Sequence, residues 1–246
     1  MLKTFALLLG LVLQSPGTTV SGDDAFLRID YPDAALAYES ALKDRPGDPD
    51  LLWRLARVYT CMAEVEAGEQ RKNHLKKAEY FARECVRVAP ERGEGHTWLA
   101  GVLGYRALDA GATDQIVLSN ELLDELDRAL AINPEDDAAY SIRGSFFRAL
   151  GNVGWLRKQL AALFIGKVPE GGFEEAEAAL KRAVALAPDI MRHHYELGVL
   201  YLDMGHKEEA AKCFEAAITL PVRVAIDRPR REKARELLSE IRQEGE

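Results

Sequence analysis

Five histidines and three cysteines are the side chains of this 246-residue chain best suited to hold a metal or to act as base or nucleophile. Their spacing supports neither role. His193 and His194 are adjacent, so on a helix they point about 100° apart and cannot share one metal. His74, His96 and His206 are scattered. There is no His-Glu-x-x-His pair, paired-cysteine motif, glycine-rich phosphate loop or Gly-x-Ser-x-Gly elbow. Cys61, Cys85 and Cys213 are too few, and odd in number, for a disulfide framework. The expectation is a protein with no catalytic residues, no metal and no cofactor, which works by binding.

The elements that would present such a surface are marked by proline. Ala41-Leu-Lys-Asp-Arg-Pro46, Cys85-Val-Arg-Val-Ala-Pro90, Ala129-Leu-Ala-Ile-Asn-Pro134 and Ala183-Val-Ala-Leu-Ala-Pro188 share one pattern. Ala217-Ile-Thr-Leu-Pro221 is one residue shorter. A small residue and a helical apolar run precede each proline, and a new helical run follows. Proline ends a helix because it lacks an amide donor and clashes with the preceding turn. Recurrence of one supersecondary unit signals a repeat solenoid. The prolines lie 44, 44, 54 and 33 residues apart, so some units carry extra length.

Composition fits a soluble fold, at 48% hydrophobic and 29% charged. The first 22 residues are expected to stand apart. Met1–Lys3 carries one positive charge, Phe5–Leu13 is apolar, and Val20-Ser21-Gly22 offers small residues. This reads as a cleavable secretory signal, residues 1–22, cut after Gly22. The apolar run is shorter than the roughly 20 residues that span a bilayer, so no transmembrane anchor is expected after cleavage. The chain would then be exported, to the periplasm or outside the cell. Removing that segment takes one lysine and no acid, which moves the net charge from −8 to −9. An acidic chain without a basic stripe is a poor partner for nucleic acid or anionic lipid.

Residues 23–246 then form a single domain. Its first unit supplies only a second helix, with Ala34, Tyr38 and Ala41. The following pairs place Ala56, Ala100, Gly144 and Gly198 where two helices cross, and the crossing requires a small residue. Arg143 sits where leucine is expected and either snorkels along the core or marks a register shift. Asp48, Asp136 and Asp189 offer helix N-caps. Met62–His74 extends a first helix and adds a charged turn, and Ala107–Gln115 is a connection. Gly151–Gly172 is an insertion, with apolar Leu156, Leu160, Leu163 and Phe164 on one helical face after Trp155. Residues 227–243 read as a polar-faced capping helix, as a solenoid end requires.

These helix pairs resemble the tetratricopeptide repeat (TPR), which implies an all-α, right-handed helical-hairpin solenoid. More specifically, Leu52-Trp-Arg-Leu-Ala-Arg57, Trp155-Leu-Arg-Lys-Gln-Leu-Ala-Ala-Leu-Phe164 with Gly166-Lys167 and Pro169, and Leu197–Pro221 resemble the regulator of microtubule dynamics family. That resemblance spans nearly all of residues 31–243. Animal members are associated with membranes or microtubules, and some are linked to lipid binding; fold carries over more safely than activity.

In TPR arrays the inner helix of each pair lines a concave face. The resemblance therefore places Trp53, Arg57 and Cys61 there, then Thr97, Gly101 and Tyr105, then Ser141, Ser145 and Arg148, then Tyr195, Val199 and Leu202. Trp53, Arg57, Tyr105, Arg148 and Tyr195 are the candidate partner contacts, because aromatic and arginine side chains dominate binding surfaces. The expected function is a non-enzymatic scaffold for a protein or peptide partner in the cell envelope. The alternative is an apolar or lipid-like small molecule held beneath Trp155, Leu156, Leu160 and Phe164. A third possibility is a purely architectural role in an assembly.

Overall fold

The computed structural model describes residues 17–154 and 169–244. Eleven α-helices make up the regular structure of these residues, with no strand among them. They form five hairpins and a cap. The hairpins are α1 (Gly17–Leu27) with α2 (Tyr31–Asp44), α3 (Pro49–Glu64) with α4 (Gly68–Val88), α5 (Gly93–Leu108) with α6 (Ala112–Ile132), α7 (Asp137–Gly151) with α8 (Phe173–Leu186), and α9 (Met191–Asp203) with α10 (Lys207–Thr219). The cap is α11 (Asp227–Glu244), which packs on α10. The all-α TPR-like solenoid and its capping helix are as the sequence predicts.

Proline punctuation is regular. Helices α2, α4, α6, α8 and α10 end at Asp44, Val88, Ile132, Leu186 and Thr219, each two residues before its proline. Asp48 and Asp136 then cap the next helices, accepting from the amides of Asp50 and Ala139 at 2.9 Å each. Asp189 is not a cap; α9 starts at Met191 and Asp189 pairs with Arg223 instead. Leu52, His96, Tyr140 and His194 lie six residues after their prolines. The two histidines bond back across the turn, Nε2 of His96 to Pro90 O and Nε2 of His194 to Pro188 O, both at 2.8 Å.

Three hairpins cross on a glycine. A Cβ on Gly22, Gly144 or Gly198 would lie within 3.0 Å of the Tyr38, Leu180 or Phe214 side chain. Each of these large side chains is fully buried between two alanines of its own helix, as Phe214 is between Ala210 and Ala217. The register around Gly144 is thus in phase, and Arg143 snorkels, its guanidinium pairing with Asp127 on α6.

The first hairpin corrects the expectation that this unit has only a second helix. Gly22, Ile29 and Tyr38 repeat the spacing of Gly198, Gly205 and Phe214. Gly205 takes φ +79° to end α9, and Ile29 takes φ +63° to end α1, a conformation that is costly for a β-branched residue. The two turns close alike, Asp30 N–H donating to Ala25 O at 2.9 Å and His206 N–H to Tyr201 O at 2.8 Å. Side chains tie α1 down as well. Tyr38 O–H donates to Asp23 at 2.6 Å, and Arg45 donates to Thr19 at 2.6 Å. The boundary expected after Gly22 therefore falls inside a packed helix, and residues 1–16 lie outside the described ones.

Extra length in the second and third units is helical. The segment Met62–His74 does not extend α3, which stops at Glu64; most of it belongs to α4. The Ala107–Gln115 connection shrinks to Asp109–Gly111, and α4 and α6 are 21 residues each. In the expected insertion, Gly151 closes α7 and α8 begins at Phe173; Trp155, Leu156, Leu160 and Phe164 lie outside the described residues.

Two outcomes follow. Gly22→Ala should destabilise the full chain by about 1–3 kcal/mol, because the rigid, buried Tyr38 ring cannot move aside. Gly111→Ala, with open space at its Cβ, should not, and calorimetry compares the two. The second concerns His96, buried with Nδ1 2.5 Å from Glu125 Oε2 and Nε2 on the Pro90 carbonyl. Two acceptors call for the doubly protonated ring. The hydrogen bond to Glu125 raises its pKa above the usual histidine value, against burial and Arg128. Its stabilisation is therefore complete below the unfolded-state pKa of about 6.5 and is lost as pH rises through the folded value. The melting temperature should fall over that rise, and His96→Gln should flatten the slope; an unchanged slope would count against the pair.

Candidate partner-binding cavity

The array curls until its ends meet. The Ala225 amide, in the turn before α11, donates to the Tyr31 hydroxyl at the start of α2 at 2.8 Å. Val224 and Ala225 pack on the core of the first hairpin. Inside this closure lies a cavity of about 320 Å³. Helices α3, α5, α6, α7, α9 and α11 all contribute to its wall.

One side of the cavity is a charged cluster. Glu64, its side chain 3% exposed, accepts from Tyr105 O–H at 2.5 Å and from Arg192 at 3.1 Å. Arg192 comes from α9, 128 residues along the chain. Glu196, one turn after Arg192, faces Arg230 of α11 at 3.3 Å and Arg148 of α7 at 3.9 Å. Arg148 also meets Asp203 at 3.0 Å. Burial raises the Tyr105 phenol pKa, and Glu64 adds to it. Arg192 is held firmly protonated: burial opposes its charge, but Glu64 and Tyr105 outweigh that. Burial, then Glu64, pushes the neighbouring Cys61 thiol up to about 12, so it is no nucleophile at neutral pH.

The other side is apolar and hydroxylic. Trp98, Leu108, Ile142 and Phe146 supply the apolar wall, with Ser119, Ser141 and Ser145 between them. Among the described residues, no cluster of three or more His, Cys, Asp or Glu side chains could hold a metal ion. Nor is any described helix long and apolar enough to cross a membrane.

The residues singled out from sequence divide into three groups. Tyr105 and Arg148 line the cavity, with Gly101, Ser141 and Ser145. Trp53 and Arg57 form a separate stack beside α1: the Arg57 guanidinium lies 3.8 Å from the Phe26 ring centroid and 5.0 Å from that of Trp53. Burial lowers the Arg57 pKa, and Asp23 lies 3.9 Å away. Tyr195 stands behind the wall, 5.8 Å from Arg230 and packed against Phe214. Cys61 is buried, and Thr97 bonds Asp136 of the next unit at 2.6 Å. Val199 and Leu202 pack in the C-terminal core. Glu64, Arg192, Glu196 and Arg230 were not anticipated; an acid or arginine at the end or start of an inner helix is their only local signal.

A profile of the regulator of microtubule dynamics protein 1-3 family matches residues 27–242. The chain belongs to this family. It is 25% identical over 195 residues to human regulator of microtubule dynamics protein 2, covering 78% of this chain and 48% of that protein. It is 27% identical over 172 residues to Caenorhabditis elegans regulator of microtubule dynamics protein 1, covering 70% of this chain and 76% of that one. The chain thus spans about half the length of the human relative. Among solved structures, a thermophilic TPR protein of Thermus thermophilus superposes with a TM-score of 0.68 at 22% identity, over 90% of this chain and 97% of that one. Yeast Tom70 superposes with a TM-score of 0.57 at 18% identity, over 93% of this chain and 40% of Tom70. These likenesses confirm the TPR fold, and that fold supports a protein-interaction scaffold.

The cluster has a measurable weight. Glu64→Gln removes the charge that Arg192 faces but leaves an acceptor for Tyr105. It should cost roughly 2–4 kcal/mol, below the largest values for buried pairs because Arg192 keeps some solvent contact. Urea unfolding of the two proteins measures the difference.

Proposed function

We propose that the chain is a non-catalytic scaffold that takes a polypeptide segment of a partner into the cavity enclosed by its five hairpins. The observation that carries this reading is the cavity's composition. Aromatic and arginine side chains from inner helices, Tyr105 and Arg148 among them, converge there with unpaired serine hydroxyls. Such surfaces bind through a few buried aromatic and arginine anchors. Buried, high-pKa thiols and a firmly protonated Arg192 leave the site without an activated nucleophile or base.

An exported location, periplasmic or secreted, belongs to the same proposal. Its support is the charged start at Lys3 and the apolar run Phe5–Leu13. N-terminal sequencing of the chain recovered from an exporting host tests it, since an intact Met1 on exported-fraction protein would oppose cleavage. What the relatives' name says of microtubules is said of them. The scaffold reading rests on the cavity.

A photo-crosslinker at Ile142, inside the cavity, should label a polypeptide in the native host, whereas one at the exposed Tyr80 of α4 should not. Equal labelling from both sites would remove the cavity from the reading. Native mass spectrometry covers the rival class. A small apolar molecule that leaves on organic extraction would replace the peptide with a lipid-like ligand.

A further inference from the structure

The donors and acceptors around the cavity do not balance. Glu64 is engaged twice, by Tyr105 and Arg192. Both Glu196 oxygens face guanidinium groups, and Asp203 accepts from Arg148 and from Asn152 at 2.7 Å. The acceptors are thus used up. Two guanidinium N–H groups of lining residues are not: Arg148 Nε and Arg230 Nη1 are buried and have no hydrogen-bond partner. Arg148 and Arg230 both lean on Glu196, so these spare donors belong to one cluster. A buried polar N–H left unmade costs free energy, and a charged one more than a neutral one.

We infer that the cavity recognises a carboxylate on a peptide, bound by Arg148 and Arg230, with an apolar neighbouring side chain against Trp98, Ile142 and Phe146. This rests on the reading that the cavity takes a peptide, and it names the chemistry of that peptide. A carboxylate is the acceptor whose two oxygens suit guanidinium donors and whose charge they match. Beside the cluster, the apolar wall would cover a hydrophobic side chain. Ser119, Ser141 and Ser145 carry no side-chain hydrogen bond among the described residues and can meet peptide amides and carbonyls. A bare acyl chain would leave those hydroxyls unmatched. The volume of about 320 Å³ lies at the small end of ligand sites, which suits two or three residues of a chain.

Two sources supply such a carboxylate, an Asp or Glu side chain or a chain end. Random hexapeptides, displayed either with free C-termini or with both ends blocked, are selected on the full-length protein. The expected result is enrichment of a carboxylate next to an apolar residue. Enrichment in the blocked set assigns a side-chain carboxylate, and enrichment confined to free ends assigns the terminus. Selected peptides are then titrated by fluorescence anisotropy against the natural chain, Arg148→Met and Arg230→Met. Each substitution should weaken carboxylate peptides about tenfold or more and leave their amide or Gln counterparts unchanged. Ser145→Met, which fills space and keeps every charge, should weaken both kinds alike. Circular dichroism establishes that each variant is folded, and selection on the natural chain reads the preference without any variant. Peptides selected without a carboxylate would overturn this inference and leave the peptide scaffold standing. Selection of no peptide at all would overturn both.

Discussion

The close approach of two helices within a hairpin is the constraint from which the rest follows. In three hairpins a large side chain lies against a backbone that has no Cβ, as Tyr38, Leu180 and Phe214 lie against Gly22, Gly144 and Gly198. That contact sets the distance between helices, and hence the rise and curvature from one unit to the next. Curvature in turn decides whether the inner helices face an open surface or an enclosed one. Here it brings the fifth hairpin back to the second, so that Arg192 meets Glu64. The cavity exists because small residues were placed where helices cross.

Enclosure changes the electrostatics of the inner face. On an open concave surface, arginine and glutamate pairs are screened and contribute little. Behind the closure, Glu64 and Tyr105 are withdrawn from solvent, and each charge needs a partner supplied by another unit. The cluster therefore acts as a clasp between α3, α7, α9 and α11 as well as a wall of the cavity. Binding and architecture share the same side chains.

Much of the fold was legible because its signals are local. Each proline stops a helix two residues ahead of itself, Asp48 and Asp136 cap the next one, and the apolar spacing of Ala234 and Leu238 marks the packed face of the last. The first hairpin was misread for an equally local reason. The apolar run Phe5–Leu13 draws attention to a leader and hides that Gly22, Ile29 and Tyr38 keep the spacing of a complete unit. Ile29, standing where the fifth hairpin has Gly205, further masks the turn. Of the cavity, helical period yields Tyr105 and Arg148, which sit on inner faces. It cannot yield Glu64 with Arg192, whose meeting depends on superhelical pitch summed over three units. Arg230 looked like part of a solvated polar face, and only the docking of the cap turns it inward.

The bond between Tyr31 and Ala225 joins positions 194 residues apart. A linear array of repeats can fray from either end, because each unit leans only on its neighbours. Once the ends are joined, there is no outermost repeat to peel away first. Loss of any hairpin strains the junction, so local openings are coupled around the ring. The entropy of holding distant segments together grows only slowly with the length between them, so closing so long a circuit costs little more than closing a shorter one. The molecule thereby acquires the all-or-none melting of a compact globule while keeping the parts of a solenoid.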